Sequence, residues 1–424
     1  MIKYIYKYKK SLSYIKDDTL KIKKGENITK NFLAILFNTE LNEAQIGLIS
    51  RVNNEFIYII ILREDFDISD YNLDEYEEEC LVKLLDKNII NKNLIININN
   101  ITDYISITQG IMSLKYENRI LFRGQANSTW ILQPSLYRGK FSESREKDIY
   151  KEYIKYNSNN KNEGALDIII NMQHAEFPTR LLDWTDNPLN ALFFALSDMT
   201  QLNNDSKIYC IIPNELYDFN DDKYRVIQTF MNTEFNLEKI RGNDKENEII
   251  EFISSIAKRY DGESKFIFIE PPFQNDRIKA QKGLFSIYIR VNNDLLSIIK
   301  EKELISILGE KGSNLIEKLM YEDISDKSFE EIKIYIEYES EERMKKKDLE
   351  DISKKLYESK ILKFKLENKM DFTINDRCIE IIIPSECKLE MLRELDNLNI
   401  NNKSIYPDNN GLKKHIEYKS IIIE

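Results

Sequence analysis

The chain has 424 residues, 42% of them hydrophobic and 11% aromatic, with a formal net charge of −11. That composition belongs to a globular protein of two or three domains and excludes a wholly disordered chain. The acidic balance argues against a nucleic-acid binder, which carries a basic footprint.

Residues 1 to 95 read as a separate N-terminal region. "FLAILF" and "FIYIIILRE" have the apolar density of strands, and "DEYEEECLVKLLDK" (74 to 87) has helical apolar spacing. The longest apolar run, "FIYIIIL" (56 to 62), is too short to span a bilayer, and no cleavable apolar segment follows Met1. A cytoplasmic setting without membrane association is expected. Cys80, Cys210, Cys378 and Cys387 show no Cys-x-x-Cys spacing and no histidine neighbours, so neither a disulfide framework nor a metal site is expected.

From about 96 the pattern changes. "DYISITQGIMSLKYEN" has helical character, and "RILFRGQ" (119 to 125) reads as a strand. "SESREKDIYKEYIKY" (142 to 156) and "EGALDIIINMQH" (163 to 174) read as helices. "NPLNALFFALSD" predicts a buried helix, with Asn187 able to cap it and Pro188 suited to its first turn. "KIYCIIP" and "KFIFIEPP" predict core strands with the helix "KENEIIEFISSIAKRY" between them, and "RIKAQKGLFSIYIR" (277 to 290) runs from a short helix through Gly283 into another strand. Residues 292 to 375 are rich in Lys and Glu, and "ESEERMKKKDLEDISKKLYESK" (339 to 360) predicts a solvated amphipathic helix within a charged helical insertion. "CIEIIIP" returns as a strand, followed by the helix "SECKLEMLRELDNL" and the turn "YPDNNG". The fold class is therefore α+β (mixed α/β). A central mixed sheet built from strands near 119, 207, 265, 284 and 378 is flanked by helices, with 96–291 and 376–424 forming its body.

Four stretches carry candidate chemistry. Arg123 in "LFRGQ" places a guanidinium beside a glycine that lets another group approach closely, which suits a carboxylate or phosphate, or else a structural ion pair with an acid such as Asp183. In "NMQHAEFPTRLLDWTDNP" (171 to 188), Asp183, Trp184 and Thr185 sit just before a helix start, where Asp183 or Thr185 can cap the helix or the loop can cradle an anion below Arg123 and Arg180. His174 ends a helix and can act as acid or base near neutrality, or bond the free carbonyls of the helix end. Arg277 and Gln281 are four apart and share a face if their turn is helical; Gln281 can both donate and accept.

Together these segments resemble the FRG domain family, named for its Phe-Arg-Gly signature. Phe122-Arg123-Gly124 resembles the opening motif, "LQPSLYR" (132 to 138) the block after it, and "MQHAEFPTRLLDWTDNPLNALFFA" the longest motif. "RIKAQKGLF" and "LDNLNINNKSIYPDNNGL" resemble later blocks, so the likeness runs from about 100 to 418 with 292 to 375 outside it. Residue 176 is Glu where the pattern has Gly. The resemblance implies a bacterial protein and, by association, a part in phage defence. The strand with Arg-Gly is also similar to the opening of arginine-specific ADP-ribosyltransferases, which work on NAD. By that analogy Arg123, His174 and Gln281 are the candidate catalytic residues, with Arg180, Asp183, Thr185 and Arg277 binding the ligand and no metal. The enzyme would be a transferase or glycohydrolase. No cofactor is certain, and NAD or another nucleotide is the expected ligand. The alternatives are a sensing module that uses the same cleft, with residues 1–95 or 292–375 meeting a protein partner, and a purely structural polar network.

Overall fold

The computed structural model describes residues 94–112, 119–139, 143–157, 164–236, 246–259, 266–272, 276–289, 293–309, 313–321, 324, 326–340, 345–363 and 377–422, and before residue 94 seven strands alone. Those strands are β1 (Ile2–Tyr8), β2 (Tyr14–Lys16), β3 (Thr19–Lys23), β4 (Leu33–Asn38), β5 (Glu43–Val52), β6 (Phe56–Arg63) and β7 (Leu81–Lys83). They form one sheet in the order β2-β3-β6-β5-β4-β1-β7, antiparallel except where β1 lies parallel to β4. The helix expected over 74 to 87 is corrected at its centre. Leu81–Lys83 pairs with β1 as an edge strand, and the rest of that stretch lies outside the described residues.

The second sheet holds β8 (Leu94–Asn97), β9 (Leu121–Gln125), β10 (Leu181–Thr185), β11 (Ser206–Ile212), β12 (Leu216–Asp218), β13 (Phe266–Glu270), β14 (Gly283–Tyr288) and β15 (Arg377–Ile383). Their order is β12-β13-β14-β10-β9-β11-β15-β8, with parallel pairs only at β12/β13 and β15/β8. All five strands expected from the sequence belong to this mixed sheet, and the α+β class holds. The unforeseen central member is β10. "LLDWT", expected as a loop before a helix, is a strand because both of its faces are covered. Leu181 packs into one apolar cluster with Ile287 and Ile269, while Leu182 and Trp184 pack into another with Phe268 and Leu284.

The α-helices among the described residues lie between these strands and after the last of them: α1 (Ile101–Met112), α2 (Glu143–Tyr156), α3 (Ala165–His174), α4 (Pro188–Leu196), α5 (Asp222–Asn236), α6 (Glu246–Arg259), α7 (Asp276–Gln281), α8 (Asn293–Leu308), α9 (Ser313–Tyr321), α10 (Phe329–Glu339), α11 (Lys346–Glu358), α12 (Lys360–Lys363), α13 (Lys388–Asn397), α14 (Asn402–Ile405) and α15 (Asn409–Ile422). Helix α4 packs directly on β9, and Gly124 is what allows it. A Cβ there would sit 2.1 Å from the Ala191 carbonyl and 2.5 Å from the Ala195 nitrogen. The group that approaches this glycine is therefore a helix of the chain itself. Asn187 caps α4, its side chain accepting from the Leu189 amide at 3.0 Å with Pro188 in the first turn.

Helices α8 to α12 close around a core of their own, with Leu304, Leu319, Ile332, Ile336 and Leu356 buried. The helix expected over 339 to 360 is α11, shorter at both ends. Helix α10 ends at Glu339, where Ser340 turns extended, and α11 starts after the extended Lys345, just ahead of its first buried apolar residue, Leu349. At the C-terminal end the expected turn over "YPDNNG" is confined to 406–408, because Asp408 accepts from the Gly411 amide at 2.8 Å and starts α15.

Candidate functional site

The strands β9 and β10 are neighbours in the sheet, yet their register holds one pair, Thr185↔Phe122. On its other edge β9 pairs with β11 over five residues. Beyond Phe122 the two strands part, and a cleft of about 360 Å3 opens over the gap. Its walls come from β9 (Arg123), the end of α3 (Gln173, His174), β10 (Asp183, Thr185), α7 (Arg277, Gln281), β14 (Phe285) and the α14–α15 junction (Tyr406).

Arg123 bridges the gap. Its Nη1 donates to the Asp183 backbone carbonyl at 2.6 Å and lies 3.8 Å from the Asp183 carboxylate. Its Nε is buried without a partner in the protein. Burial lowers this guanidinium to about 10, opposed by Asp183 and helped by the nearby Arg138, and at that value it is still charged at neutral pH. Arg277 mirrors it from the opposite wall. Its Nη1 donates to the His174 carbonyl at 2.9 Å, its guanidinium stacks 4.7 Å from the Tyr406 ring, and its Nε is also buried without a partner.

His174 stands at the last turn of α3, its ring edge-on to Phe285 at 5.8 Å. Its Nε2 is buried and finds no partner in the protein. Burial pushes the imidazole below its ordinary value; Asp183 opposes this and Arg277 adds to it. A neutral imidazole between a carboxylate and a guanidinium can accept or relay a proton. The Tyr406 phenol is pushed up by burial, and Arg277 holds it back.

The helix end that carries His174 is closed by a Schellman motif. The Phe177 amide donates to the Met172 carbonyl at 3.0 Å and the Glu176 amide to the Gln173 carbonyl at 3.1 Å. Glu176 takes the left-handed position, φ 62°. The Gly expected here from the resemblance would suit that conformation, and this chain meets it with a Glu at the rim of the cleft.

Of the seven residues expected from the sequence, six line this one cleft: Arg123, His174, Asp183, Thr185, Arg277 and Gln281. Arg180 does not. It is 1% exposed and lies apart from the cleft. Its Nε donates to Glu146 at 2.8 Å, and Nη1 and Nη2 donate to the two carboxylate oxygens of Glu234 at 2.9 and 3.0 Å. Placing Arg180 over an anion is therefore corrected: its guanidinium is consumed by two internal acids that tie α2 and α5 to the sheet. Thr185 and Asp183 do not cap α4 either. The Thr185 hydroxyl donates to the Gln281 carbonyl at 2.7 Å, and Asn190 of α4 donates to that same carbonyl at 3.1 Å, which fixes α7 against the cleft. Gln281 itself turns its Nε2 toward the Ile405 carbonyl at 3.4 Å.

Sequence reasoning missed Gln173, Tyr406, Phe285 and Ser135, which also line the cleft. Gln173 was adjacent to His174 in the longest motif, and Tyr406 stood in the last block of the family likeness. Among the described residues no cluster of His, Cys, Asp and Glu could hold a metal ion, and no helix is long and apolar enough to cross a membrane. Among the described residues Cys210, Cys378 and Cys387 form no disulfide, and Cys80 lies outside the described residues.

Residues 118–204 match the family model described as the FRG domain. No curated protein and no solved structure matches the chain. The matched segment spans β9 to α4 and supplies Arg123, His174, Asp183 and Thr185, while Arg277, Gln281 and Tyr406 come from beyond it. Between residues 118 and 204 this chain carries an FRG domain.

Proposed function

We propose that the cleft binds a small phosphorylated or nucleotide-like ligand, with NAD a candidate. The observation that carries this reading is that Arg123, Arg277 and His174 line one cleft and each holds a buried polar atom without a protein partner: Arg123 Nε, Arg277 Nε and His174 Nε2. Buried polar groups left unpaired cost about 1–3 kcal/mol each, so three at one cleft point to an external partner more readily than to a structural network. Two arginines suit an anionic group, and the volume falls in the range of small-ligand sites, roughly 300–1,000 Å3.

In the catalytic form of this proposal, His174 in its neutral state moves the proton and Asp183 orients the ligand, in a group transfer or glycosidic cleavage. In the sensing form the same contacts bind without turnover, and residues 1–95 or 292–375 carry the signal to a protein partner. Exposed Ile334 and Tyr338, one turn apart on α10, favour such a contact on the charged helical segment. Residues 96–291 with 376–424 then act as the ligand-binding unit, in a cytoplasmic setting and, by the family likeness, in bacterial defence against phage.

The test is calorimetry and thermal shift of the full chain with NAD, ADP-ribose and mononucleotides, followed by product analysis. Binding that Arg123→Ala and Arg277→Ala abolish supports the site. Turnover that His174→Ala abolishes supports the enzyme, and binding without turnover supports the sensor. No stabilisation by any of these ligands would refute the reading.

A further inference from the structure

We propose that the ligand presents a hydroxyl hydrogen to Asp183 as well as an anion to the arginines, which makes it a sugar phosphate, and that Thr179 and Gln173 are positioning residues that hold Asp183 ready as an acceptor. The proposal rests on the ligand-binding reading above and deepens it.

Asp183 stands at the end of a chain of hydrogen bonds that begins at a peptide N–H. The Leu181 backbone amide is a donor, and it donates to Thr179 Oγ1 at 3.2 Å. The Thr179 hydroxyl is wholly buried and directs its own hydrogen to Gln173 Oε1. The carbonyl end of the Gln173 amide therefore faces Thr179, and its NH2 end faces the other way. There it donates to Asp183 Oδ2 at 2.8 Å. The directions of these bonds are mutually consistent, and the chain ends on a carboxylate oxygen that accepts. Arg123 Nη1 lies 3.8 Å from the same oxygen.

Asp183 is thus presented to the cleft as an acceptor, with half of its side chain exposed. A purely anionic ligand would meet repulsion from it. A ligand with an anionic group for Arg123 and Arg277 and a hydroxyl within reach of Asp183 uses both. Phosphorylated sugars, the ribose phosphate of nucleotides included, have that combination. A charge-assisted hydrogen bond of this kind is worth about tenfold or more in affinity.

The experiment measures dissociation constants of the full chain for ribose 5-phosphate and for methyl phosphate, a phosphate monoester without a free hydroxyl. The wild-type protein is expected to bind ribose 5-phosphate about tenfold more tightly. Gln173→Leu and Thr179→Val are expected to erase that preference and leave methyl phosphate within about twofold, whereas Asp183→Asn is expected to erase it while tightening methyl phosphate, because the repelling charge is gone. Thr179→Ser, which keeps the hydroxyl, is expected to retain the preference, a rescue that a merely structural role would not produce. Equal wild-type affinity for the two compounds, a comparison that needs no variant, would overturn the hydroxyl assignment and leave the anion site standing. Equal weakening of both by Gln173→Leu would overturn the positioning role. If methyl phosphate fails to bind at all, the anion site falls, and this proposal falls with it.

Discussion

Arg123 donates to the backbone carbonyl of Asp183 at 2.6 Å, across the gap where β9 and β10 part. A side chain here takes the bond that a neighbouring strand would otherwise make, so the guanidinium is both a strut and a binding group. Arg123→Lys keeps the charge but loses the planar fork, and with it the simultaneous hold on Asp183 and on an anion. Phosphate-ester affinity is expected to fall by about tenfold, which is about 1.4 kcal/mol, with a smaller loss of stability. Calorimetry paired with urea denaturation separates the two effects, and unchanged affinity would remove Arg123 from the site.

Arg180 is the opposite case. Its guanidinium is enclosed by Glu146 and Glu234 with the Phe235 ring 5.2 Å away. Arg180→Ala leaves two acids without their cation, and a broken buried pair costs about 3–5 kcal/mol. A fall in the urea midpoint of that size is expected, with ligand affinity of the remaining folded protein intact. A variant of wild-type stability with lost affinity would reverse the assignment.

Glu176 holds a left-handed conformation that glycine adopts without penalty. Glu176→Gly is expected to stabilise the fold by about 1 kcal/mol, net of the freedom that glycine returns to the unfolded chain. Thermal and chemical denaturation read this directly. A destabilised variant would mean that the Glu176 side chain contributes more than its backbone costs.

Gly124→Ala puts a methyl group against the backbone of α4, at 2.1 Å from one peptide oxygen. Overpacking of this severity costs about 3 kcal/mol. Because the nearest atoms are backbone, Ala195→Gly is not expected to relieve it. Recovery of stability in that double variant would show that the Ala195 methyl, and not the helix backbone, sets the limit.

His174 gives the stability curve a defined sign. Its imidazole is held below the ordinary value of about 6.5 by burial. Between the lowered folded value and about 6.5 the unfolded chain binds the extra proton. This contribution is therefore complete above about 6.5 and is lost as pH falls through the folded value, with a slope of at most about 1.4 kcal/mol per pH unit. Urea midpoints measured from pH 7.5 to 5 are expected to fall more steeply for the wild type than for His174→Gln. Parallel curves would show that His174 carries no such linkage.

How much of this was legible in the sequence depended on what each residue needed from distant partners. Helix α4 announced itself, since Asn187, Pro188 and a run of apolar residues set its start and its buried face locally. Six of the site residues were recognisable because polar side chains of uncommon type stood between apolar strands and helix ends. β10 was not, because a strand covered on both faces lacks the alternation that marks an edge, and Asp183 interrupts its apolar run. Arg180 misled because an arginine in a short polar stretch looks exposed. Its acids lie 34 residues upstream and 54 downstream, and only the tertiary fold brings them in. Tyr406 is 283 positions from Arg123, and nothing local to it announces a role in the cleft.

Tyr406 also sets where the cleft is vulnerable. It stands at the junction of α14 and α15, after the last strand of the sheet, and stacks on Arg277. A protease cut or a premature stop just ahead of it would spare every strand while removing one wall of the cleft. The same lesion would also remove Tyr418, which is buried in the core that β9 and α4 share, so a short C-terminal loss would strike cleft and core together.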